Sequence, residues 1–218
     1  MGLDQSALDI VAAAAVTRSV APGSPLFKQG DAATYLFLIV QGRLKMSIVT
    51  EDGSQIALRF MQAGDLIGCV AVFRHLPYPA SATAMDKSVM LAWSAPQVDK
   101  LVRNHPPLAA NALAIVGGRA EEFLLRMREV TTEGAEQRIA RTLLRLSKQA
   151  PQGSQAGKGD VLNLSRQDLA ELSGTSLFTV SRMVSTWKRQ GLVAVGRKRL
   201  EVRDFERLKA IAESPSAH

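Results

Sequence analysis

The sequence predicts an α+β protein: an N-terminal antiparallel β barrel or jelly roll, a long helix, and a C-terminal winged helix-turn-helix. Three observations predict it. Short alternating segments from Leu26 to Trp93 are separated by glycine-bearing turns, and apolar residues between 108 and 134 recur at three- and four-residue spacing. Residues 165–191 read as two short helices about a glycine. The expected boundaries are residues 1–107 for the jelly roll, 108–134 for the long helix and its hinge, and 135–218 for the C-terminal domain.

Residues 4–18 read as a short amphipathic helix with Leu8, Ile10 and Val11 on its buried side. The turns that follow are Gln29-Gly-Asp31, Gln41-Gly42, Glu51-Asp-Gly53 and Ala63-Gly-Asp65. In Arg43–Val49, the residues Leu44, Met46 and Ile48 share one face and Arg43, Lys45 and Ser47 the other, the period-two pattern of a half-buried strand. Ile56, Leu58 and Phe60 repeat it, and Val89 to Trp93 closes the series. Several such strands at this spacing make an antiparallel barrel or jelly roll.

Ser94-Ala-Pro-Gln97 is a capping box with an early proline and opens a helix through Val102. After His105-Pro-Pro107, Leu113, Val116, Ala120, Phe123, Met127 and Val130 form a narrow a/d seam, which suits a partner helix better than a broad core. Gly134 can absorb a break and is the candidate hinge. Ala135 to Gln149 is amphipathic, with Ile139, Leu143, Leu144 and Leu146 inward, and Pro151 to Gly159 is a polar linker.

Ser165 with Asp168 is a second capping box, and Leu169 and Leu172 supply a buried face. Gly174 sits at the reversal, Thr175 and Ser176 can cap the next helix, and Val180, Met183, Val184 and Trp187 recur at helical spacing. Leu177, Phe178, Ser181 and Arg182 stay near the exposed start, the part of a recognition helix that meets base edges. Leu192–Val195 and Leu200–Val202 flank Gly196-Arg-Lys-Arg199, a ribbon with a basic tip that makes the helix pair a winged one.

Charge agrees with that reading. The formal net charge is +7; residues 1–134 hold 12 basic and 12 acidic side chains, whereas 135–218 hold 15 and 8, so all of the excess lies beside the helix pair. A polyanionic partner follows. One cysteine, Cys69, excludes an intrachain disulfide framework and suits a reducing compartment. The absence of a membrane-length apolar run or a secretory leader places the expectation in the cytoplasm. No paired carboxylates, nucleophile triad, phosphate loop or metal-ligand cluster points to an enzyme.

In their order, Phe27-Lys-Gln-Gly-Asp31, Val40-Gln-Gly42, Gly64-Asp-Leu-Ile-Gly68, Arg138-Ile-Ala-Arg-Thr-Leu-Leu144 and Leu164-Ser-Arg-Gln-Asp-Leu-Ala170 continuing through Gly174 to Arg182 resemble one family over most of the chain. It is the superfamily of the cyclic-AMP receptor protein and the fumarate-nitrate reduction regulator. The resemblance implies a cyclic-nucleotide-binding-like sensor domain, a homodimer, and binding to a palindromic operator in double-stranded DNA under allosteric control. RNA polymerase and an unidentified small-molecule effector are the further partners it suggests, without a membrane. The competing reading is a small-molecule-binding regulatory module that acts on a partner protein without operator binding.

Cyclic-nucleotide binders of this superfamily carry a Glu after the glycine matching Gly68, an Arg-Ser pair further on, and a Thr-Ser pair on the long helix. Here those places hold Cys69, the stretch Tyr78-Pro-Ala-Ser81, and Phe123 and Leu124. Tight cyclic-AMP binding is therefore not expected, because a buried cyclic phosphate needs cations or dense donors. A single cysteine cannot supply an iron-sulfur cluster. Haem stays open: 174–182 is similar to the nitrogen-oxide-responsive branch, and His75, His105, His218 and Cys69 are the candidate axial ligands. Cys69 reads either as a small apolar filler or as a redox-sensing thiol.

The resemblance thus marks Gly68, Cys69, Ser81, Phe123 and Leu124 as the effector pocket. Arg182 matches a family position that contacts guanine, and Leu177 or Phe178 can meet a thymine methyl. Arg166, Gln167, Ser176, Thr179, Ser181, Lys188 and the wing-tip Arg197 and Lys198 complete the expected DNA surface, mostly as phosphate contacts.

Overall fold

A computed structural model describes residues 3–53, 55–149, 161–196 and 199–214. The chain divides into two compact units, Met1–Glu122 and Phe123–His218, and the division falls within the long helix.

The first unit opens with α1 (Gln5–Ala13), β1 (Val16–Val20), β2 (Pro25–Phe27), β3 (Tyr35–Gln41), β4 (Arg43–Val49), β5 (Gln55–Gln62) and β6 (Leu66–Ile67). It continues through α2 (Cys69–Arg74), β7 (Ser81–Ala84), β8 (Ser88–Ser94), α3 (Ala95–Asn104) and the first part of α4 (Pro106–Thr132). Two four-stranded antiparallel sheets, in the orders β1-β8-β3-β6 and β2-β7-β4-β5, form the expected jelly roll. Phe27, Phe37, Ile39, Leu44, Met61, Tyr78 and Met90 fill its interior from both sheets. The alternate residues of β3, Leu36 and Leu38, pack with Val72, Trp93 and Val98 on the other face of their sheet.

Two readings of this unit are corrected. The N-terminal helix ends at Ala13, and Val16–Val20 pairs with β8 instead of extending it. Asp4 caps the helix by accepting from the Ala7 amide at 2.7 Å, and Ala7 is its buried residue; Leu8 and Ile10 are exposed. Trp93 fixes this orientation by donating its indole N–H to the Val11 carbonyl at 2.8 Å. The strict alternation read along β4 and β5 also fails. Register shifts between Met46 and Ser47, where Leu58 has no counterpart, so Ser47 and Ala57 are buried while Ile56 is exposed. A bulge of one residue exchanges the faces that alternation alone assigns.

The second unit holds the end of α4 and then α5 (Ala135–Gln149), β9 (Val161–Leu162), α6 (Arg166–Ser173), α7 (Leu177–Arg189), β10 (Val193–Gly196), β11 (Arg199–Val202) and α8 (Phe205–Glu213). Ile139 and Leu143 are fully buried on α5, whereas Leu144 and Leu146 are only half-buried. The ribbon gains a third strand, β9, and the order is β10-β11-β9. α8 is a further addition: Asp204 caps it from the Arg207 amide at 3.0 Å, and Leu208 and Ala212 are its buried residues. The break at Gly134 is spanned by ion pairs from α5, Arg141 to Glu133 just past α4 at 2.9 Å and Arg145 to Glu129 of α4 at 3.5 Å.

Gly42 shows how tightly the jelly-roll turns are drawn. Its φ is +88°, and a Cβ there would stand 2.7 Å from the Ser88 Cα and 2.8 Å from the Lys87 carbonyl oxygen. Left-handed backbone costs a side-chain-bearing residue about 1–2 kcal/mol and forced overpacking about 1–3 kcal/mol. Gly42→Ala is therefore expected to destabilise the first unit by about 2–5 kcal/mol on those two terms, read from the chemical-denaturation midpoint.

Candidate nucleic-acid interface and sensor pocket

Both helices of the pair start as their sequences direct. Ser165 accepts from the Asp168 amide at 3.0 Å while the Asp168 carboxylate accepts from the Ser165 amide at 2.9 Å, closing the capping box. Gly174 ends α6 in the left-handed conformation, φ +60°, which lets the chain reverse within one residue. Ser176 then caps α7 by accepting from the Thr179 amide at 3.0 Å. Val180, Val184 and Trp187 bury one face of α7, and the Trp187 indole donates to Glu136 of α5 at 3.1 Å.

The opposite face is free of the core. Phe178 and Arg182, four residues apart, lie side by side and exposed; Phe178 is 75% exposed. Leu177 and Ser176 are exposed in the first turn, Thr179 and Ser181 are half-buried, and Lys188 is exposed at the far end. Between the start of α6 and the ribbon runs a groove of about 330 Å³, lined by Ser165, Arg166 and Leu169 on one side and by Val195, Gly196 and Arg199 on the other. Gln167 is exposed near it and donates to Glu171 at 3.0 Å. The wing-tip residues Arg197 and Lys198 lie outside the described residues, as does His218.

Sequence reasoning missed Arg138. Its guanidinium donates to three carbonyls at once: Glu133 at 2.7 Å, Ser173 at 3.0 Å and Gly174 at 3.1 Å. A cation at the C-terminal end of α6 meets the negative end of the helix and satisfies carbonyls that the helix leaves open. The residue was visible only as one member of a family-like stretch, because its partners are 5 to 36 positions away.

Of the expected seam residues on the long helix, Leu113 (73% exposed), Ala120, Phe123, Met127 and Val130 are exposed and Val116 is half-buried. Phe123 and Leu124, assigned to the effector pocket, belong to the second unit and are exposed. Gly68 and Cys69 form the start of α2, and Ser81 opens β7, accepting from the Gln29 amide at 2.9 Å. Tyr78 occupies the barrel interior beside them. Its ring stacks on Phe27 at 3.7 Å between centroids, and its hydroxyl donates to the Tyr35 carbonyl at 2.6 Å.

Arg119, which acts on Cys69, and Arg59, which acts on Arg119, were not foreseen. Arg59 pairs with Glu122 at 3.1 Å and with Asp65 at 3.9 Å, and Arg119 donates to the Leu66 carbonyl. Burial weakens Arg119's hold on its proton, with Arg59 adding repulsion and the Cys69, Asp65 and Glu122 charges opposing the shift. The two cations and two carboxylates leave the cluster without net charge. The Cys69 thiol itself is buried, and burial pushes its pKa up, only partly offset by Arg119. That is the opposite of the depressed, accessible thiol that redox sensing needs.

His75 and His105 stand at the C-caps of α2 and α3, outside the lining of the apolar pocket that Cys69 borders. At about 100 Å³ this pocket does not admit a macrocycle. Among the described residues no group of His, Cys, Asp and Glu is arranged to hold a metal ion, and no helix is long and apolar enough to cross a membrane.

A jelly-roll unit joined by a long helix to a winged helix-turn-helix defines an effector-responsive, DNA-binding transcription regulator. Residues 17–105 match the cyclic nucleotide-binding domain family and residues 137–211 the Crp-like helix-turn-helix domain. The chain belongs to the superfamily of the cyclic-AMP receptor protein and the fumarate-nitrate reduction regulator. It is 29% identical to the cyclic AMP receptor protein of Thermus thermophilus over 97% of this chain and 94% of that one. It is 25% identical to the fumarate and nitrate reduction regulatory protein of Yersinia pestis, over 91% and 79%. The structure of FixK2 from Bradyrhizobium japonicum shares the fold, with a TM-score of 0.78 at 21% identity over 93% of this chain and 99% of that one.

The raised thiol makes stability depend on pH. A native pKa above the ordinary 9.0 means that the unfolded chain loses the Cys69 proton first, so stability is level below pH 9.0 and falls as pH rises beyond it. Tyr78, raised from 10.0 chiefly by burial, adds to the fall at higher pH. Denaturation midpoints measured from pH 7 to pH 11 should show this decline, with the first part removed in Cys69→Ala. At pH 7.5 iodoacetamide should alkylate native Cys69 far more slowly than it alkylates glutathione.

Proposed function

We propose that this protein is a cytoplasmic homodimeric transcription regulator without catalytic activity, acting with RNA polymerase on promoters that carry a palindromic operator. Residues 1–107 act as sensor, 108–134 as dimerisation helix and hinge, and 135–218 as DNA-binding domain. The observation that supports this reading best is the exposed α7 stripe of Phe178 and Arg182, opposite the buried Val180, Val184 and Trp187 and flanked by the groove of Arg166 and Arg199. One such helix per protomer fits successive major grooves when two-fold protein symmetry matches two half-sites.

Within that interface Arg182 reads guanine through its paired donors, and Leu177 and Phe178 meet a thymine methyl. Arg166, Gln167, Ser176, Thr179, Ser181, Lys188, Arg197 and Lys198 hold phosphates and set register. The seam Leu113, Val116, Ala120, Phe123, Met127 and Val130 pairs two protomers, an arrangement that exposure of most of it in one chain supports. An effector acts in the sensor unit at Gly68, Cys69 and Ser81, biasing two dimer states through Gly134. The neutral arginine-carboxylate cluster and the seated Tyr78 argue against cyclic AMP as that effector.

Operator selection from random duplexes followed by fluorescence anisotropy tests the assignment. Arg182→Ala is expected to cost about 1–3 kcal/mol on the selected site and to relax one base position, whereas Lys188→Ala should weaken all sequences alike and lower the salt slope by about one. Equal losses on every sequence in Arg182→Ala would make it a phosphate contact instead.

A further inference from the structure

We propose that the pocket bordered by Cys69 and Trp93 is a binding site for a small, uncharged, apolar molecule no larger than a single aromatic ring. It lies on the face of the β1-β8-β3-β6 sheet turned away from the barrel interior. Leu36 of β3 and Trp93 of β8 form its floor, Cys69 and Phe73 of α2 one wall, and Leu108 and Ala112 of α4 another. Helices α1 and α3 add Val11, Val98 and Leu101, and the pocket stays partly open to solvent.

Three properties define what fits. The lining side chains are aliphatic or aromatic apart from the thiol, and no carboxylate, ammonium or guanidinium is among them. The polar atoms that could hold water are already spent: the Trp93 indole N–H is committed to the Val11 carbonyl at 2.8 Å, and the Cys69 thiol and the Leu66 carbonyl are engaged by the Arg119 side chain. Water in a cavity needs two to four polar partners, so this one favours a guest that brings no hydrogen bonds of its own. Its volume is about 100 Å³. A dry cavity of about 150 Å³ lined by Leu, Ile and Phe takes benzene or xenon, which sets the size class.

The contrast within the same unit strengthens the assignment. The barrel interior, bounded by Gly68 and β7, is filled by Tyr78 stacked on Phe27, whereas this space beside it is left open. Well-packed interiors rarely keep voids larger than a water molecule. Because α4 supplies one wall, occupancy is felt by the first turns of the long helix. The inference names a ligand class for the unit already read as the sensor, and it stands on the pocket walls; the test accordingly reads occupancy without DNA.

The full-length protein, labelled at Val and Leu methyls, is titrated with benzene up to its aqueous solubility while methyl spectra are recorded. Saturable shifts confined to the lining methyls of Val11, Leu36, Leu66, Val98, Leu101, Val102 and Leu108, reversed under xenon pressure, are the expected result. Ala112→Leu, which fills the space, should abolish them at an unchanged melting temperature; if that variant does not fold, Val98→Phe serves the same purpose. Absence of saturable shifts, or their persistence in a folded filled variant, overturns the site. Benzoate shifting the same methyls as strongly as benzene would overturn the uncharged class. Operator affinity is measured separately, so a failure here is distinguishable from a failure of DNA binding.

Discussion

Arg138 joins the end of α4, the end of α6 and the turn of the helix pair through one guanidinium. The direction of α7 depends on that turn, since Gly174 must reverse the chain while its own carbonyl and that of Ser173 are satisfied from outside the helix. A planar guanidinium spreads its donors over three nitrogens in fixed geometry and so reaches three separate carbonyls, whereas a lysine presents its three donors from a single nitrogen. Trp187 adds the second anchor, burying the middle of α7 and tying it to Glu136. With both in place, Phe178 and Arg182 project from a rigid element, the condition for reading base edges.

The first unit divides its two apolar spaces differently. Inside the barrel, aromatic stacking and the Tyr78 hydroxyl bond leave the interior occupied by the protein's own side chains. Behind the sheet, helices α1, α2, α3 and α4 converge without closing completely. Arg119 acts on Cys69 and Arg59 acts on Arg119, but they are neutralised by Asp65 and Glu122 or engaged by the Leu66 carbonyl, so the surroundings offer no unopposed cation.

Much of the architecture was legible because it is written in local patterns. Both capping boxes, the Gly174 reversal and the buried stripe Val180, Val184 and Trp187 follow from rules that act within four residues. The elements that escaped notice depend on distant partners. β9 is two residues long and is held by β11; α8 follows a detectable cap at Asp204, but its buried Leu208 and Ala212 gain meaning only inside the folded unit. The bulge opposite Leu58 is likewise a property of pairing, and it exchanged the faces of Ile56 and Ala57.

By itself the sequence determined the order of the domains, the helix starts and stops, the charged half of the chain and the exposed first turn of α7, since propensity, capping and periodicity are encoded residue by residue. Only the tertiary structure decided which strand registers close the jelly roll, that Tyr78 fills it, that Arg138 holds the helix pair, and that an apolar pocket opens beside Cys69. Those features arise where side chains far apart in sequence compete for one volume or one set of carbonyls, and that competition is settled only when the chain has packed.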